Sequence, residues 1–140
     1  GPQHGFRSDL QENMIESPHG EDRSRGVRVY SLYSETRTPT PEMLAGLDAL
    51  VIDLQDVGTR IYTYIYTMAN CLTAAAAHGL PVVVCDRPNP IGGHLVEGPM
   101  LLDGFQSFVG QYPIPMRHGM TIGELARLFN EHFGLGAKLE

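Results

Sequence analysis

Apolar positions fall into short runs and helical stripes, with polar residues gathered where the runs end. Residues 1–26 are polar, rich in Gly, Ser, Pro and charge, and read as a long loop. Val27–Leu32 alternates with β-branched and aromatic residues, which predicts a strand. Thr40 is a good N-cap and Pro41 suits the first helical position, so a short helix is expected to run to about Leu47. The apolar run Ala49–Leu54 predicts a strand covered on both faces. Ile61, Ile65, Met68, Leu72 and Ala76 recur at helical spacing, and Gly79 is placed to end that helix. Pro81–Cys85 reads as another strand. Residues 87–120 hold many Gly and Pro and read as a structured excursion anchored by scattered apolar side chains. Thr121 and Glu124 form a capping-box signature ahead of a stripe of Ile122, Leu125, Phe129 and Phe133, with Gly134 as the stop. Lys138–Glu140 looks like the start of one more strand.

Strand, helix, strand, helix, strand, long loop and helix in that order predict an α/β fold. The expectation is an open, parallel-sheet, three-layer domain with right-handed crossovers. Such sheets bind ligands beyond the carboxyl ends of their strands. The residues expected there are Tyr33 to Thr36, Asp53 to Arg60 and Asp86 to Asn89.

Composition narrows the function classes. The chain has 140 residues, 42% of them hydrophobic, which suits one domain with a real core. Ten Lys and Arg against 16 Asp and Glu give a net charge of −6, the wrong sign for a nucleic-acid or anionic-membrane partner. No apolar run approaches the roughly 20 residues of a bilayer span. Cys71 and Cys85 read as small buried hydrophobes, and the six histidines show no short metal-ligand spacing, so neither a metal nor another cofactor is expected. Gly1-Pro2, with no Met, basic segment or apolar h-region after it, reads as the start of a trimmed, processed or cloned piece.

The polar clusters carry the candidate chemistry. Asp53, Gln55, Asp56, Thr59 and Arg60 crowd one strand end, where they can bind hydroxyls or supply a general base. The competing reading is a helix cap plus an ion pair. Asp86, Arg87 and Asn89 lie in a proline-stiffened loop suited either to a polar ligand or to a structural Asp–Arg pair. Glu97, between Val96 and Gly98, is a candidate general acid or an ordinary loop carboxylate. Arg117 and His118 precede the last helix, an end that favours an anion. Gln3, His4 and Arg7 form a compact polar motif near the start. No GxGxxG, P-loop, GxSxG or HExxH motif is present. From the fold alone, metal-assisted phosphoryl transfer through Asp53 and Asp56 stays open.

The strings GPQHGFRSDLQ, YSLYSETRTPTPEML, LVIDLQDVGTRIYTY, DRPNPIGG, VEGP and SFVGQYPIPMRHGMTIGELARLFN resemble, in order and over nearly the whole chain, the NamZ-type exo-β-N-acetylmuramidases. The resemblance implies a bacterial, exported glycoside hydrolase that releases terminal N-acetylmuramic acid from peptidoglycan fragments. It also implies a Rossmann-like N-terminal domain facing a second, C-terminal domain across a cleft. Residues 1–140 are then part of the first domain, without its first strand and helix, and the C-terminal domain is absent. The partners implied are a peptidoglycan-derived saccharide and that missing domain. The family usually opens with Pro-Glu-His-Gly, whereas Gln3 stands in the Glu position here, and an amide cannot exchange a proton.

Glycoside hydrolysis needs two carboxyl groups, about 5–5.5 Å apart for retention or about 6.5–9.5 Å for inversion. On this reading Glu97 is the acid/base and Asp53 or Asp56 its partner, with Asp86 and Glu16 as further carboxylates and Gln3 and His4 beside them. Arg7, Gln55, Arg60, Asp86, Arg87 and Asn89 would bind substrate. Arg117 and His118 would take the lactyl carboxylate of muramic acid. A catalytically impaired sugar-binding module is the alternative.

Overall fold

A computed structural model describes residues 16–140, so the expectations for Gln3, His4 and Arg7 fall outside the described residues. The chain divides into two compact units, Gly1–Ala45 and Gly46–Glu140.

In the first unit, β1 (Gly20–Asp22) and β2 (Val27–Val29) form an antiparallel hairpin with Gly20 opposite Val29. Asp22 fastens its turn. The carboxylate accepts the Ser24 hydroxyl at 2.6 Å and the Arg25 guanidinium at 2.7 Å, and these bonds hold its pKa below the ordinary carboxylate range. The strand expected from Val27 is therefore real but shorter, and it joins a local hairpin instead of the parallel sheet. Tyr33 to Thr36 accordingly do not extend a strand of that sheet. The helix expected from Pro41 is α1 (Pro41–Leu44). Thr40 caps it by accepting the Met43 N–H, and it stops short of Leu47.

The second unit holds the α/β core. β3 (Leu50–Ile52), α2 (Tyr64–Ala77), β4 (Pro81–Val84), β5 (Glu97–Met100), β6 (Pro115–Arg117), α3 (Ile122–Arg127) and β7 (Lys138–Leu139) follow one another. The sheet is parallel, in the order β3-β4-β7, with Ile52 opposite Val84 and Val82 opposite Leu139. Pairing puts Ile52 and Val82 on one face, where both are buried, while Val51 and Val83 on the other face are exposed. Helices α2 and α3 pack on each other and on β4. Ile65, Tyr66, Met68, Leu72, Ile122, Leu125 and Phe129 fill the space between, all at 0–1% exposure.

Helix α2 begins at Tyr64, three residues after the expected Ile61, because the chain before it is tied to β6. The Arg60 N–H donates to the Met116 carbonyl at 2.8 Å, and Thr59 bridges Arg117. Both arms of the capping box at Thr121 and Glu124 are present, at 3.2 and 2.9 Å. After α3 the chain widens into a π-helical turn (Leu128–His132). Phe129 stacks there on Tyr112, with ring centres 4.4 Å apart. Asn130 then holds both backbone groups of Ala137, setting the chain into β7. Residues 87–120, expected as an irregular excursion, contain the antiparallel ribbon of β5 and β6, in which Glu97 pairs with Arg117. Its Gly and Pro content, with a register irregularity between Glu97 and Met100, hid the alternation that marks a strand. Among the described residues no helix is long and apolar enough to cross a membrane.

Candidate active site

The loops that leave β3, β4 and β6 meet through hydrogen bonds within the second unit. Gln55 donates to the Asp56 carbonyl at 2.7 Å and reaches the Pro88 carbonyl at 3.4 Å. Asn89 donates to the Met120 carbonyl and accepts the Ile91 N–H. The turn after β3 passes so close to this loop that a side chain on Gly58 would overlap Asn89 and Ile91. Loops with few repeating hydrogen bonds are held in this way by side chains and close contacts.

The two aspartates after β3 have opposite environments. Asp53 is half exposed and accepts two bonds from Arg87, at 2.6 and 2.8 Å. Asp56 is buried. Its Oδ2 accepts the Gly58 N–H at 2.7 Å and lies 3.2 Å from His118 Nε2, but the latter contact lacks the alignment of a hydrogen bond. Among the described residues Asp56 Oδ1 and His118 Nε2 have no hydrogen-bond partner, and the same is true of Arg117 Nε. His118 Nδ1 accepts the Met120 N–H, so the hydrogen of the neutral ring sits on Nε2, toward Asp56.

Two arginines complete the frame. Arg60 is buried and donates to the carbonyls of Pro99 and Ile114, both at 2.7 Å, joining the start of α2 to both edges of the ribbon. The Tyr66 hydroxyl donates to the Arg60 carbonyl, and burial pushes that phenol up to about 12. Arg117 projects from the ribbon beside Glu97. It donates to the Glu97 carboxylate at 2.6 Å and, through its other terminal nitrogen, to the Ile91 carbonyl. Glu97 keeps 57% of its side chain exposed.

Asp86 is occupied by the fold. Its carboxylate accepts the Thr121 hydroxyl at 3.0 Å, the Gly123 N–H at 2.8 Å and the Arg87 N–H at 3.0 Å, at the start of α3. Arg87 turns its side chain to Asp53 instead of Asp86. The structure therefore brings Asp53 to Arg87 and Glu97 to Arg117 as two exposed ion pairs, and places Asp56, Arg60 and His118 in the interior beneath them. Glu16 is exposed in the first unit. Among the described residues no three of His, Cys, Asp and Glu gather as metal ligands.

Neither Thr121 reaching Asp86 nor the Ile91 carbonyl serving Arg117 was legible in the residue pattern. The first is masked by the capping box that Thr121 also serves. The second is a backbone atom, which carries no side-chain signal.

The model of the family described as "Exo-beta-N-acetylmuramidase NamZ, N-terminal" matches residues 1–140. The peptidoglycan beta-N-acetylmuramidase NamZ of Bacillus subtilis (strain 168) is 55% identical over 139 residues, which are 99% of this chain and 33% of that protein. A crystal structure of a DUF1343 family protein from Bacteroides fragilis NCTC 9343 superposes with a TM-score of 0.87 at 46% identity, over 100% of this chain and 35% of that one. A second such protein from the same organism gives 0.76 at 39% identity, over 94% and 33%. The chain thus spans about a third of the length of these relatives. The match from first residue to last shows that the chain belongs to the exo-β-N-acetylmuramidase NamZ family and corresponds to its N-terminal region.

Proposed function

We propose that this chain supplies one wall of the active site of a glycoside hydrolase that releases terminal N-acetylmuramic acid from peptidoglycan fragments. The observation that carries the reading is the 55% identity to a peptidoglycan β-N-acetylmuramidase over 99% of the chain. In this reading Glu97 gives and takes the proton at the glycosidic oxygen, and Asp53 is the second carboxylate. Both are solvent-accessible, and an arginine orients each of them. Gln55, Arg87 and Asn89 line the sugar side. Arg117, already turned toward a carboxylate, is the candidate for the lactyl group of muramic acid. Asp56 moves from catalytic partner, and Arg60, Asp86 and His118 from sugar contact, to support, since each is buried or engaged by backbone. The opposite wall would come from the C-terminal domain implied by the family.

Incubation with an N-acetylmuramic acid–N-acetylglucosamine disaccharide tests this, with release of free muramic acid as the expected result. Glu97→Gln should abolish release, and Arg117→Ala should reduce discrimination against N-acetylglucosamine-terminated substrate. Full activity in Glu97→Gln would remove that residue from the chemistry. A second reading, a sugar-binding module without catalysis, is motivated by Gln3, an amide where the family resemblance leads one to expect Glu. Saturable disaccharide binding with no release would establish it, and any release would exclude it.

A further inference from the structure

Three neighbouring facts need one explanation. A buried carboxylate and a buried imidazole lie 3.2 Å apart with an unpartnered atom on each. The residue next to that imidazole is Arg117, which holds Glu97. Residues 116–118 are also the segment to which the start of α2 is tied. We infer that Asp56 and His118 form a buried positioning pair that fixes the aim of Arg117, and through it the Glu97 carboxylate.

Consecutive residues of a strand point to opposite faces. Arg117 ends β6 with its side chain beside cross-strand Glu97 on the accessible side. His118 then turns into the interior, where its side chain is 0% exposed, and meets Asp56, itself 3% exposed. Asp56 is fixed by the Gly58 N–H, His118 by the Met120 N–H, and the backbone of 117 by its pairings with Glu97 and Thr59. Arg117 is thereby clamped on both sides of its Cα, while its own Nε is buried and makes no hydrogen bond. Among the described residues the guanidinium's hydrogen bonds are the two at its terminal nitrogens, so its aim depends on where the clamped backbone places it. The same core holds the Arg60 cation and the Tyr66 phenol, and the Asp56 charge is opposite to that of Arg60. Packed against Asp56, the imidazole acts as an oriented wedge. Buried polar pairs of this sort specify geometry more than they stabilise.

The role rests on the hydrolase reading above, so the test uses two readouts, one of which needs no turnover. Asp56→Asn and His118→Gln should each lower kcat on the disaccharide about 10- to 100-fold, the scale of a small misplacement of a reacting group, with KM nearly unchanged. In an Arg117→Lys background the same changes should cost less than about twofold, because the step they act through is already disturbed. Independently, the Arg117 Nε–H resonance should be sharp and slow to exchange in the unaltered protein and broadened in both variants. Folded variants that keep kcat and a sharp Nε–H signal would overturn the inference. An equal loss of kcat with and without Arg117→Lys would do the same. Should His118→Gln fail to fold, Asp56→Asn, which conserves volume, decides alone. If the unaltered protein hydrolyses nothing, the hydrolase reading fails while the Nε–H signal still tests the clamp.

Discussion

Gly58→Ala is the sharpest probe of how the site is built. Gly58 has φ +85°, and a Cβ there would lie 2.5 Å from Asn89 Oδ1, 2.5 Å from Ile91 Cγ1 and 2.8 Å from Ile91 Cδ1. The left-handed backbone costs an L-residue roughly 1–2 kcal/mol. Overlap with two fixed neighbours adds about 1–3 kcal/mol, since neither can retreat freely. Asn89 is bonded to the Met120 carbonyl, and Ile91 carries the carbonyl that serves Arg117. The stiffer unfolded chain returns about 0.4–1 kcal/mol. A net loss of about 3 kcal/mol is expected, read as a lower urea midpoint at unchanged m-value. Gly79→Ala is the control. Gly79 has φ +67° with nothing within 4 Å, so it meets the backbone cost alone and should lose about 1 kcal/mol. Only Gly58→Ala should also lower turnover, because the displaced Ile91 carries Arg117 with it. Equal losses in the two variants would refute the close-packing argument and leave φ as the whole effect.

The remaining predictions concern single groups. Asp86→Ala removes three acceptor bonds at the start of α3 and should cost about 1–3 kcal/mol, with Asp86→Asn less harmful. An unchanged urea midpoint would show that Asp86 is free for a ligand after all. Burial raises the Tyr66 phenol to about 12 and the Cys71 thiol to about 11, above their unfolded values in both cases. Their contribution to stability is therefore complete below the unfolded pKa values and is lost as pH rises toward 11–12. A tyrosine titrating after the others, and a Cys71 slower than half-buried Cys85 toward a thiol reagent, are the expected signs. Simultaneous titration in folded protein would contradict the burial.

What could be read from the sequence was what depends on near neighbours. Thr121 and Glu124 are three residues apart, and their box formed. Pro41 and Gly79 bound their helices because φ restriction is a property of the residue itself. The runs at 50–52 and 81–84 paired in parallel as their continuous Val, Ile and Leu suggested, but the cover expected on both faces is present on one only, since Val51 and Val83 are exposed. Val27 misled because β-propensity marks a strand but not its partner, and hairpin closure by Asp22 costs less than joining a distant sheet. The partners of the charged clusters were not legible for the same reason. Asp53 and Asp56 stand three residues apart in one string, yet the first meets Arg87, 34 positions on, and the second meets His118 in the interior. Charge pairing is decided by burial, and burial by how loops separated by thirty to sixty residues come to rest. A carboxylate beside another in sequence says only that the fold must find each a counter-charge or water. At this site the chain gave the exposed carboxylates Asp53 and Glu97 to arginines and buried the one that could be held by backbone. That division, more than the presence of acidic residues, leaves Glu97 accessible to solvent and shields Asp56 from it.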